Sequence, residues 1–179
     1  MVRNLFPIER EDQIAHPTLR RVFAYWQAKA AMRGALPARA HIDPLDLGAA
    51  LPAISLIEVR HDPNDGTGRL RYRVMGSLQV EIMGRDATGE MIDVGSAEDD
   101  AAAAAIATGR PIFAERRFFP ANTGSLSLKF EALVCPLASD GRSVDMLLTA
   151  VAPQYQPKDL PAARVNRFAR VAIETLRRR

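Results

Sequence analysis

The chain has 179 residues, 47% hydrophobic and 25% charged, and its 24 Lys and Arg face 21 Asp and Glu for a net charge of +3. That balance belongs to an ordinary folded domain with a core and one or two flanking helices; it excludes disorder and collagen-like structure, and the charge excess is too small to single out a nucleic-acid partner. A single cysteine, Cys135, excludes an internal disulfide and a thiolate metal cluster, and the longest apolar runs, Ala49 to Ile57 and Met146 to Ala152, fall far short of the roughly 20 residues of a membrane helix.

Residues 1 to 16 lack periodicity and read as a loose lead-in, and MVRNLFPIERED mixes charge and proline where a secretion signal needs an unbroken apolar core, so a cytoplasmic location is expected. A helix starts at Pro17, where proline suits the first turn, and carries Leu19, Phe23, Trp26 and Ala30 at helical spacing until Gly34. Its stripe must cover its own sheet or a second copy of the chain.

Asp43-Pro44 is a helix start, with the carboxylate able to accept from free amides of the first turn, and the short helix closes near Leu51-Pro52. Ala53 to Val59 is strand-like. Arg69 to Met75 alternates strictly, with Leu70, Tyr72 and Val74 on one face and Arg69, Arg71 and Arg73 on the other, and the turn-rich DPNDGTG between the two strands predicts a hairpin. Short helical pieces over 77 to 95 are punctuated by Gly84, Gly89 and Gly95. The next helix has Ser96 as cap, Glu98, Asp99 and Asp100 in its electropositive first turn, an alanine run, and Gly109 as its stop.

Three strands follow: Pro111 to Phe119, Leu126 to Leu137 and Ser143 to Ala152. From about Pro161 a last helix places Val165, Phe168, Ala169, Ala172, Ile173 and Leu176 in one stripe opposite Arg164, Arg167 and Arg170. The pattern is α+β: a five-stranded antiparallel sheet with short helices on one face and flanking N- and C-terminal helices. The expected organisation is a lead-in at 1–16, one domain with its N-terminal helix at 17–152, and a C-terminal amphipathic helix at 153–179.

The ordered set Leu36-Pro37-x-Arg39, Ile42-Asp43-Pro44, Leu51-Pro52, Arg71-Tyr72-Arg73-Val74-Met75-Gly76, Gly84-Arg85-Asp86-x-Thr88-Gly89 and Pro136-Leu137 with Asp140-Gly141, after a helix bearing Trp26, resembles a bacterial subfamily of stand-alone PAS domains over about residues 17 to 152. The resemblance implies a sheet cradling short helices, a small-molecule cavity between them, and a role in signalling rather than catalysis. It brings no diagnostic cofactor residue. There is no reactive-cysteine motif of the flavin type, and no histidine lies on the long helix where a haem ligand belongs, so neither cofactor is supported.

The expected cavity lining is Tyr72, Val74, Ile82, Met91, Ile106, Phe118, Leu128 and Phe130; a fully packed core has the same composition, so the sequence alone does not separate pocket from core. Expected interface residues are Phe23, Trp26, Phe168, Ile173 and Leu176, with a homodimer and a signalling protein as partners. No catalytic or metal-binding residue is assigned. His16, His41 and His61 lack ligand spacing, Cys135 reads as a small buried hydrophobe, and Lys129 with Glu131 reads as a surface ion pair. The expected function is a sensor or protein-docking module without its own output domain, modulated by a small ligand in the cavity. An enzyme using the same cavity, or a nucleic-acid-associated regulator using the arginine face, stays open as an alternative.

Overall fold

The computed structural model describes residues 2–61, 68–92, 97–118 and 128–154. Six strands form one antiparallel sheet: β1 Val2–Pro7, β2 Ile54–His61, β3 Gly68–Val74, β4 Ile112–Phe118, β5 Leu128–Leu137 and β6 Met146–Gln154, in the spatial order β1-β4-β5-β6-β2-β3. Among the described residues four α-helices accompany it: α1 Pro17–Arg33, α2 Pro44–Leu47, α3 Ser77–Met83 and α4 Ala97–Thr108. The predicted C-terminal helix, with Phe168, Ile173 and Leu176, lies outside the described residues.

The helix starts read at Pro17 and Asp43-Pro44 stand where expected, and the Ser96 cap lies outside the described residues. His16 precedes Pro17 and its Nδ1 accepts from the Thr18 amide at 3.2 Å, while Gly34 closes α1 at φ 65°. Asp43 Oδ1 accepts from the Leu45 amide at 2.9 Å at the start of α2. His41 likewise serves the backbone, its Nδ1 accepting from Ala38 at 3.1 Å.

The lead-in is where the structure departs from expectation. Residues 2–7 form β1, which pairs with β4 and extends the expected five strands to six, and Ile8 and Ile14 are buried beyond it. The strand escapes pattern reading because VRNLFP does not alternate and its partner lies more than a hundred residues away. Phe6 packs on Phe113 with ring centroids 5.3 Å apart, and Arg20 holds the following segment by donating from Nε and Nη2 to the Ile14 carbonyl at 3.1 and 2.9 Å.

Both faces of the central strands are covered. On what we call the outer face, α1 buries Leu19, Val22, Phe23 and Trp26 against Leu133, Cys135 and Leu148. Trp26 Nε1 donates to the Pro136 carbonyl at 2.8 Å, tying the helix to β5. Arg33 at the end of α1 donates to the carbonyls of Leu36, Ala138 and Ser139, each at 2.8 Å, and so fixes the turn after β5. On the inner face, α3 and α4 lie over Ile57, Leu70, Tyr72, Ile112 and Val134, and Ala101, Ala102 and Ala105 let α4 sit close to the sheet. No helix among the described residues is long and apolar enough to cross a membrane.

The close approach of chain segments at the end of β3 depends on Gly76. A Cβ there would collide with the carbonyl oxygens of Pro52 and Ile54. We expect Gly76→Ala to cost on the order of 1–3 kcal/mol or more, the range of core overpacking. Gly84→Ala, at φ 75° with open space around it, should cost about 1–2 kcal/mol from backbone strain alone. Urea unfolding of both variants checks the order; equal losses would show that the crowding at Gly76 relaxes freely.

Candidate ligand and docking sites

The inner face carries a buried polar cluster that sequence reading missed. Ser55 of β2, Gln79 of α3, Arg116 of β4 and Thr149 of β6 are all buried, Arg116 with only 5% exposure. Ser55 Oγ donates to Gln79 Oε1 and accepts from the Gly76 amide at 3.1 Å, and Thr149 Oγ1 donates to the Ser55 carbonyl at 3.3 Å. Gln79, Arg116 and Thr149 line a small cavity with Ile57, Ala102, Ala132, Val134 and Val151. Its volume is about 10 Å³, room for no more than about one water. One signal for it was present: Ile112, Ala114 and Arg116 share a strand face by period two, so an arginine follows two apolar residues onto the core side.

Seven of the eight expected lining residues separate into three groups. Tyr72 is buried on the inner face, Phe130 is buried there with Ala132 and Val151, and Ile106 packs partly buried against the same core. Met91 is half-exposed, paired with Arg71 in a bridge along the outer edge of β3. The side chains of Ile82, Phe118 and Leu128 lie outside the described residues.

Val74 is a correction. The β2–β3 pairing shifts register between Leu56 and Ile57, so alternation breaks and Val74 lies opposite Leu56 on the outer face, 50% exposed. A bulge of this kind moves every following side chain to the other face. Phe23 and Trp26 are a second correction: both are buried on their own sheet rather than presented to a partner, because α1 supplies the outer layer of the core.

Val74 borders a groove of about 430 Å³ on the outer face, beyond the edge of α1. Ile42, Leu47, Leu51, Ile54, Leu56 and Leu148 line it, with Arg39 contributing a cation whose Nη1 donates to the Ile42 carbonyl at 2.9 Å. The volume falls within the range of roughly 300–1,000 Å³ typical of binding clefts, and the lining is mainly apolar.

Cys135 is fully buried on the outer face, and burial pushes its thiol well above the ordinary range, which fits a packed hydrophobe. Glu131 is not the surface partner of Lys129 expected above. It is buried, lies opposite Glu115 across the β4–β5 pair, and accepts from Gln154 Nε2, while Asn4 Nδ2 donates to Glu115 at 2.8 Å. Burial raises its carboxyl from the ordinary value, Gln154 opposes this, and the charge of Glu115 adds to the rise. Asp86 behaves as a turn former: hydrogen bonding to the Thr88 side chain, and then to the Thr88 amide, which donates to Oδ1 at 2.9 Å, holds its carboxyl below its usual value.

A family model described as a PAS domain matches residues 14–152. The chain belongs to the PAS domain family. The sheet order β4-β5-β6-β2-β3, with β1 added outside β4, is then the PAS frame plus one strand. No protein of curated function matches. Among solved structures, an RNA-binding Light-Oxygen-Voltage receptor matches 97% of the chain at 12% identity with a TM-score of 0.48, and the chain spans 43% of that receptor's length. The Rhodobacter sphaeroides LOV protein matches 70% of the chain and 87% of its own length at 14% identity, with a TM-score of 0.41.

The Glu131–Glu115 pair in this PAS domain makes a pH prediction. A carboxyl raised in the folded state contributes stability that is complete below the ordinary carboxylate range and is lost as pH rises through the raised value. Glu131→Gln keeps the Gln154 bond and removes the like-charge pair, which opposite one another cost up to about 1 kcal/mol. The variant should match wild type near pH 4, by the ordinary carboxylate values, and melt higher at neutral pH. Parallel melting curves across that interval would show that Glu131 titrates as an exposed carboxyl.

Proposed function

We propose that the chain is a cytoplasmic signal-transduction module that docks on an output protein or on a second copy of itself, with a small ligand in the inner cavity setting its state. Family membership supports the signalling role, and the observation that carries the ligand reading is the polar cluster between the sheet and α3 and α4. The Gln79 amide lines the cavity as a donor beside the Arg116 guanidinium, and the Thr149 hydroxyl oxygen adds an acceptor, so the chemistry favours a compact polar molecule with acceptor oxygens. At about 10 Å³ the cavity is too small for such a ligand as it stands, and the ligand enters as α4 moves off the sheet.

The reading also accounts for the alanines of α4. A helix that packs through Ala101, Ala102 and Ala105 has few interlocking side chains and slides or lifts at small cost in apolar contact. Ligand occupancy is thereby converted into a displacement of α4, which adjoins β4 and carries the change toward the sheet edge.

The test is the mass of the purified full chain under native and denaturing conditions, with its absorption spectrum. A released small molecule that is lost in Arg116→Met supports the ligand reading. A ligand-free dimer, or a ligand-free monomer that captures a specific partner, would retain docking and remove the ligand. A ligand-free monomer that binds neither itself nor a signalling partner would overturn the whole proposal.

A further inference from the structure

The outer-face groove is exposed apolar surface with an identifiable cover. Leu51 and Val74 on its walls remain 39% and 50% exposed, and Leu45 beside it is 86% exposed. The helix α1 covers β5 and β6 but leaves this corner open. Contiguous apolar surface of this kind on a folded domain marks an interaction site.

The chain itself leads there. β6 supplies Leu148 to the groove and runs antiparallel to β2, with Ala150 opposite Ile54. Gln154, the last described residue, lies six residues beyond Leu148, about 20 Å along the strand. The eleven residues from there to Val165 reach up to about 36 Å when extended, more than enough to return. At Val165 begins the apolar stripe read from the sequence, continuing through Phe168, Ala169, Ala172, Ile173 and Leu176.

A stripe of helical period needs an apolar cover. A tether of this length holds it near the groove at an effective concentration of roughly millimolar, which outcompetes a second copy at micromolar protein. We propose that the apolar stripe of residues 165–176 docks in the outer-face groove of its own chain and shields it from other partners. This does not depend on a ligand in the inner cavity.

Disulfide trapping in the full chain tests it, and the buried, unreactive Cys135 leaves introduced thiols to react alone. Val74→Cys is paired in turn with cysteine at Val165, Phe168, Ala172 or Leu176, and with cysteine at Arg164, Arg167 or Arg170 as controls on the opposite face. Mild oxidation at low micromolar protein should give a within-chain bond at one or more stripe positions several-fold faster than at the controls. Because disulfide geometry is strict, a second readout accompanies it: Phe168→Asp with Ile173→Asp in the full chain should raise binding of the apolar-surface dye ANS several-fold, and adding Val74→Asp should reverse the rise. A bond formed mainly between chains would assign the groove to a second copy and overturn the proposal. So would unchanged dye binding together with trapping no faster than the controls.

Discussion

A single missing side chain at Gly76 lets three segments meet. The end of β3 rests against the carbonyls of Pro52 and Ile54 only because no Cβ stands between them, and the Gly76 amide is then within reach of Ser55 Oγ. That hydroxyl in turn orients Gln79 one turn into α3. One backbone contact thus joins the inner polar cluster to the outer groove, since Met75, Gly76 and Ser77 also border the groove. The two candidate sites lie on opposite faces of the sheet but share this corner.

The central strands are covered twice, and the two covers differ in kind. On the outer face α1 interlocks through large side chains and a tryptophan hydrogen bond, with Arg33 binding three carbonyls at its end. On the inner face α4 rests mainly on alanines, with Ile106 partly buried beside them. Interlocked packing resists displacement, whereas a smooth surface yields to it. The sheet is therefore anchored from one side by interlocked packing and covered from the other by a smoother one.

Much of this order was legible in the sequence, and the reasons for the rest are local. Proline at 17, capping chemistry at Asp43-Pro44, and glycines at 34, 84 and 109 mark helix ends because they act through neighbouring backbone groups, whereas the cap from His16 was not read. Five strands followed from apolar runs and alternation. β1 did not, because its evidence is a distant partner rather than a local pattern. The groove was hidden for a different reason: the register shift between Leu56 and Ile57 reverses the face of Val74, and alternation within β3 carries no trace of a fault in its pairing with β2. Ser55, Gln79 and Thr149 were invisible because each is polar in a way that fits an exposed position equally well. Arg116 alone broke the pattern of its own strand.

The added strand β1 changes what the rest of the sheet shows to other molecules. Without it β4 would be an outermost strand of seven residues with its amides and carbonyls open along one side; with it β4 is interior. The boundary moves to a six-residue strand that ends at Pro7, which has no amide to offer. Short outermost strands closed by proline are poor templates for accretion of further chains, so the N-terminal segment acts as a selvedge that keeps the sheet from growing sideways.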